Sequence, residues 1–148
     1  MGIIKSILTN HFELKIARDW NKTYWFVDVH GTILKPNYQY GNTPSDFYPL
    51  AKETLQLISK LPDICMILYT CSHPHEINEY LELFEENDIH FQYVNENPEV
   101  PTDKNGYGNY DKKPYMNVLL EDKSGFDPDN DWELIYMLLL NNYPELRK

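Results

Sequence analysis

The chain has 148 residues, 42 % of them apolar, and 23 acidic side chains against 13 lysines and arginines give a formal charge of −10. That length holds one domain with a real core, and no apolar run approaches the roughly 20 residues that cross a bilayer. The negative field excludes unspecific binding to nucleic acid backbones or membrane surfaces, and an anionic substrate would need a local cation.

Residues 1–22 form an N-terminal extension broken by Lys5, Asn10 and His11. It reads poorly as a secretory signal, and nothing in it decides between a hairpin and a helix. Thr23–Val29 (TYWFVDV) is aromatic and β-branched, as a buried strand should be. A loop rich in Pro, Asn, Tyr and Gly follows. The stretch from Pro49 to Leu61 then places Leu50, Leu57, Ile58 and Leu61 near one helical face. Ile64–Thr70 (ICMILYT) is a continuous apolar run between Pro62 and Pro74, the mark of an inner parallel strand. Cys65 and Cys71 lie on or beside it, six residues apart. A straight strand holds such positions about 20 Å apart, too far for a disulfide, so both are expected as reduced thiols of a cytoplasmic protein.

Ile77, Tyr80, Leu81 and Phe84 repeat at helical spacing, and His90–Asn95 (HFQYVN) reads as a short strand. The polar stretch Glu96–Lys113 is long for a loop, and function or disorder must explain it. Met116–Asp122 (MNVLLED) is a further strand. Asn130-Asp131-Trp132-Glu133 has the form of a capping box opening a helix whose face carries Trp132, Ile135, Tyr136 and Leu139. This order predicts a single α/β domain over residues 1–148, with an open parallel sheet flanked by helices in three Rossmannoid layers. It leaves no room for a large cap domain. Ligands of such folds sit beyond the carboxyl ends of the strands. Those ends carry Asp28, Thr70 and Glu121-Asp122, one polar cluster at one sheet edge.

In the same order, these ends resemble the four motifs of the haloacid dehalogenase-like (HAD) phosphatases. FVDVHGTI is similar to the first, an apolar strand followed by Asp-x-Asp-Gly-Thr, and MILYTCSHP to the second, where Thr or Ser ends a strand. Lys112-Lys113-Pro114 supplies the third motif's lysine, and NVLLEDKSGFD resembles the fourth, with paired acids closing a strand. The short distance from lysine to acids is similar to that in the deoxyribonucleotidase-like branch. EDKSGFDPDNDW resembles small phage and bacterial HAD-like proteins. The resemblance spans Asp28 to Asp127.

It implies a Mg²⁺-dependent phosphomonoester hydrolase. A phosphomonoester is a dianion, so attack by a carboxylate demands charge neutralisation, which an oxygen-seeking cation supplies. Asp28 would be the nucleophile, forming an aspartyl-phosphate that water cleaves. Asp122 would be the second acidic metal ligand, with Glu121 or Asp127 holding a metal-bound water. Thr70 would hydrogen-bond the transferring phosphoryl group, beside Cys71. Lys113, or Lys112, would provide the cation, and Gly31 and Thr32 would offer backbone N–H groups.

One position departs from the pattern. The family's second acid of motif one binds metal through its carbonyl and protonates the leaving group with its side chain. Here it is His30. The carbonyl role survives any substitution, so His30 remains an expected metal ligand. The proton passes to an imidazole with an ordinary pKa near 6.5. Because imidazole is bulkier and positive when protonated, the competing expectation is a weak or inactive HAD-like binding domain.

Other chemistry is readable too. His73 and His75, with His30 and Asp28, could hold zinc or iron, although they read more simply as residues opening a helix. Cys71 could be a nucleophile, but a small buried or half-buried thiol is the plainer expectation. Asp127, Asp129 and Asp131 read as turn and capping residues before metal ligands. Tyr38, Tyr40, Tyr107 and Tyr110 lie in loops where rings could stack on a nucleobase. The expected partner is a small phosphorylated molecule such as a nucleotide, not a polynucleotide or a membrane.

Overall fold

Alternation along the first strand divides the molecule into two faces. In the computed structural model, which describes residues 2–37, 43–106 and 108–147, Thr23–Asp28 forms β1 at the inside of a sheet. Ile64–Tyr69 (β2) and Val118–Leu120 (β4) flank it, and Tyr93–Val94 (β3) lies outside β2. The order β3-β2-β1-β4 is parallel throughout, with Asp28 level with Tyr69 and Val27 level with Leu120. The carboxyl ends of the three longer strands therefore finish side by side.

Trp25, Val27, Met66, Leu68, Val118 and Leu120 point to one face and join a single apolar cluster. Ile3–Ala17 (α1), Ala51–Ser59 (α2), Pro74–Glu86 (α3) and Asp131–Asn142 (α4) all bury side chains in it, including Phe12, Leu55, Phe84 and Trp132. Tyr24, Phe26, Cys65 and Ile67 point the other way, against Val100, Tyr115 and Met116 of the β3–β4 connection. The architecture is α/β, a parallel sheet with α1 to α4 against one face and the β3–β4 connection over the other, in a Rossmann-like three-layer arrangement without a large cap. The undecided N-terminal segment is the helix α1. Among the described residues no helix is long and apolar enough to cross a membrane.

Two strands are shorter than their sequences suggest, because side-chain amides take over the ladder at their ends. Around β3, Met66 N donates to Gln92 Oε1 (3.1 Å), and Asn95 Oδ1 accepts from Thr70 N (2.8 Å). Before β4, Asn117 Oδ1 accepts from Tyr24 N (2.8 Å). In the first crossover Leu50 takes a left-handed φ of +61° and lies outside α2. The buried stripe is consequently Ala51, Thr54, Leu55 and Ile58, not one that starts at Leu50. Nor is Asn130 a capping-box residue: its side chain donates to Asp127 Oδ2 (2.8 Å), and buried Asp131 accepts from Asp127 N (2.7 Å).

His11 of α1 is buried at 4 % exposure, with its ring edge-on to Trp25 and Phe12. Burial, then the nearby Lys15 charge, holds its imidazole down at about 4. The folded state thus prefers neutral His11. The resulting stability is complete above the ordinary histidine value of 6.5 and is lost as the pH falls toward 4. Replacing His11 with Phe should flatten that loss. Urea titrations at pH 6.5 and 4.5 should show a smaller drop for His11→Phe than for wild type, and parallel drops would assign the acid sensitivity elsewhere.

Candidate active site

The site begins where β1 ends. Ile33 N and Leu34 N both donate to Val29 O (2.9 and 3.0 Å), folding the chain sharply back. Gly31 makes this turn with φ +76°, and a Cβ there would stand 2.6 Å from Asp122 Oδ2. Only glycine meets both conditions, the backbone conformation and the close approach of the acid. Thr32, wholly buried, follows. Its hydroxyl donates to Asp28 Oδ2 (3.3 Å) and accepts from Asp122 N (3.1 Å). Its carbonyl accepts from the buried indole Nε1 of Trp132 (2.7 Å).

These contacts bring three carboxylates together. Asp28, Glu121 and Asp122 offer oxygens within 4.8 Å of one another. Burial pushes the Asp28 carboxyl up to about 6; the Val29 N–H opposes this, while the charges of Asp122 and Glu121 add to it. Three acids at this separation repel one another, and an all-oxygen donor set matches a hard divalent cation. They open into a cleft of about 880 Å³.

His30, the residue between the nucleophile candidate and Gly31, lines the same cleft. Its Nε2 lies 2.5 Å from the hydroxyl of Tyr80, a wholly buried residue of α3, and the two rings meet edge to face. The facing wall is Thr70, whose Oγ1 accepts from Ser72 N (3.2 Å) and shares a hydrogen bond with Ser72 Oγ (2.9 Å). Asn95 grips the Thr70 backbone at both ends, accepting from its N–H (2.8 Å) and donating to its carbonyl (2.7 Å).

Asp28, His30, Gly31, Thr70, Cys71 and Asp122 therefore share one cleft. Thr32 lies beneath it. The amides of Gly31 and Thr32, expected to face a phosphate, are engaged in the turn instead, donating to Leu34 O (3.0 Å) and Val29 O (3.3 Å). Lys112 and Lys113 are not brought in: both are exposed, Lys112 borders a separate depression, and Lys113 lines neither. The lysine that does line the cleft is Lys123. Asp127 is a turn residue, its carboxylate accepting from Asp129 N (3.1 Å) and Asn130 Nδ2 (2.8 Å).

His73 and His75 stack in parallel 6.0 Å apart at the start of α3 and do not converge with His30 or Asp28. Among the described residues, the acidic trio forms the one cluster suited to a metal. Both cysteines are free, and Cys71 is exposed, not half-buried, because it lies two residues beyond the end of β2 and lines the open cleft. Tyr110 lines the other depression, while Tyr38, Tyr40 and Tyr107 lie outside the described residues.

Sequence reading passed over four residues here. Lys123 adjoins the quoted acids, and Asn95 ends a strand, so both stood where strand-end reasoning points. Tyr80 is indistinguishable in sequence from an ordinary core aromatic, and Ser72 carries no signal.

No protein-family model and no curated protein sequence matches the chain. A solved structure of a conserved protein coded by a locus from Bacteroides thetaiotaomicron is similar, with a TM-score of 0.60 and 23 % identity over 82 % of this chain and 92 % of that one. At that identity the likeness shows the fold alone.

The raised Asp28 carboxyl has a measurable consequence. Its favourable protonated form is complete below the ordinary value of 3.8 and is lost as the pH rises through about 6. In metal-free buffer at pH 7.5, Asp28→Asn should therefore be more stable than wild type, by on the order of 2 kcal/mol once solvent screening is allowed for. The advantage should shrink as the pH is lowered to 4. Thermal melts across that range check it, and a constant difference would remove the electrostatic explanation.

Proposed function

We propose that this protein is a Mg²⁺-dependent phosphomonoester hydrolase of the haloacid dehalogenase-like type, acting through an aspartyl-phosphate on Asp28. The observation that carries the reading is the convergence of Asp28, Glu121 and Asp122 at the mouth of a cleft that also holds His30, Thr70 and Lys123. Asp28, Asp122 and the His30 carbonyl would hold the ion, with Glu121 beside them, and bound Mg²⁺ would supply Lewis-acid neutralisation of the phosphate charge.

The chain's own groups account for the remaining requirements. An Asp28 oxygen attacks phosphorus, and the ester bond breaks with its electron pair on the leaving oxygen. His30 gives that oxygen a proton and later takes one from the attacking water. Thr70, pinned by Asn95, presents its hydroxyl to the phosphoryl oxygens. Lys123 takes the place expected of Lys113 as the local cation. Its ammonium is the one lysine or arginine charge among the described cleft residues, so it offsets the acidic field where the substrate enters.

The substrate class is a small phosphomonoester. The cleft volume accommodates a mononucleotide, with Tyr69, Pro36 and Pro44 as its less polar walls, whereas the charge of −10 disfavours a polynucleotide. Two free cysteines fit a reducing, cytoplasmic setting.

Hydrolysis of p-nitrophenyl phosphate with and without Mg²⁺ tests the reading. Wild type should turn over only with the metal, and Asp28→Asn should fall to the uncatalysed background. Equal rates above background in both proteins would remove Asp28 as nucleophile. Absence of activity in both, with each folded, would support a phosphate-binding domain instead. Lys123→Met should lower kcat/KM by about 10- to 100-fold, the worth of one charge-assisted contact. An unchanged value would return the cation's role to another residue.

A further inference from the structure

We propose that Tyr80 is a positioning residue that commits Nε2 of His30 to the protein and so makes Nδ1 the nitrogen that exchanges protons with the leaving group. This rests on the reading of His30 as the leaving-group acid.

The argument starts from a difference between two side chains. A carboxylate presents two equivalent oxygens, so an aspartate in this position works whichever way it turns. An imidazole presents two inequivalent nitrogens, and a second group must select one of them. Tyr80 supplies that selection. Its hydroxyl stands 2.5 Å from Nε2, and its ring packs edge to face on the imidazole at 5.4 Å. Among the described residues no hydrogen bond to Nδ1 occupies the other nitrogen, while His30 itself borders the cleft.

Tyr80 is also well placed to be rigid. It is wholly buried, on the same helix face as buried Phe84, and its ring belongs to the main apolar cluster. A hydroxyl can donate or accept, so the bond to Nε2 persists whether or not the imidazole carries its second proton.

The proton balance follows. As the Asp28 oxygen–phosphorus bond forms, the ester oxygen departs with the bonding pair and takes the proton from Nδ1. When water attacks the aspartyl-phosphate, its proton goes to Nδ1 and the Asp28 oxygen leaves with its electron pair. Nε2 stays on Tyr80 throughout.

The test is Tyr80→Phe, which keeps the ring and removes only the hydroxyl. A merely structural loss would depress all substrates alike. Mispositioned acid catalysis depends on how badly the leaving oxygen needs a proton. The second step is common to both substrates, so the comparison is made in kcat/KM, which reports only the steps up to departure of the leaving group. For an alkyl phosphate kcat/KM should fall about 10- to 100-fold. For p-nitrophenyl phosphate, whose phenolate leaves without help, kcat/KM should change by less than about threefold. Equal losses on both substrates would overturn the proposal.

A second measurement needs no turnover. In ¹⁵N-histidine-labelled, Mg²⁺-loaded protein, removing the hydroxyl should move the His30 Nε2 resonance far more than Nδ1. Comparable movement of both, or of neither, would overturn the proposal even if wild type proved inactive. Inactivity of wild type together with a selective Nε2 shift would sink the hydrolase reading and the proton role while leaving the ring-fixing bond established.

Discussion

One hydroxyl group joins the two halves of the acidic centre. Thr32 donates to Asp28 and accepts from the backbone of Asp122, so the acid that ends β1 and the acid that follows β4 are fixed by the same oxygen. The neighbouring glycine leaves the space into which Asp122 reaches. Thr32 is in turn held from below by Trp132, whose backbone carbonyl accepts from Thr54 Oγ1 (3.1 Å). The ends of β1 and β4, and through Trp132 also α4 and α2, all bear on this one residue. Its buried hydroxyl meets both a donor and an acceptor, which is the condition for burying it at little cost. The separation of the carboxylates is accordingly a property of the core and not of surface loops.

That rigidity has an electrostatic cost. Parallel neighbouring strands end level with one another, so acids at their tips are forced close, and burial together with the Asp122 and Glu121 charges raises the Asp28 carboxyl. Carboxylates crowded in this way repel one another less when a cation binds between them. Among the other described acids only Asp131 is raised in the same way, by burial and by the Asp127 charge, against the opposing Asp127 N–H. Most of the other acids lie on exposed faces, and Glu99 is stabilised by Lys22 and by the hydroxyls of Tyr93 and Tyr24, which hold its carboxyl below the ordinary range.

What the sequence disclosed follows from how local each feature is. β1 and β2 were legible because both are buried on two faces and read as uninterrupted apolar runs. Asp28, Thr70 and Asp122 were legible because strand ends in an open parallel sheet must meet. The ends of β3 and β4 were not, since Gln92, Asn95 and Asn117 extend the ladder with side chains that no propensity distinguishes from loop amides. α1 was undecided because its buried set includes His11, a polar interruption in the sequence pattern that packs as an aromatic ring. Tyr80 was read correctly as a core residue, and its hydroxyl, 50 positions from His30, could be paired only in three dimensions.

The placement of the cation shows how fold and site constrain each other. With every described helix longer than one turn packed on one side of the sheet, the other side must be covered by the β3–β4 connection, and Val100, Tyr115 and Met116 do so. Tyr115 and Met116 are tied to that apolar face, and Lys112 and Lys113, just before them, border no part of the cleft. A lysine on the short 3₁₀ turn Asp122–Ser124 faces no such constraint. Gly125, with φ +103°, ends that turn against Ile3 of α1, and Ser124 Oγ closes it by donating to Glu121 O (2.9 Å). Acid and cation then ride on the same rigid turn. Any movement that carried Asp122 toward a bound ion would carry Lys123 with it, so the proposed metal and phosphate contacts are mechanically coupled through three residues.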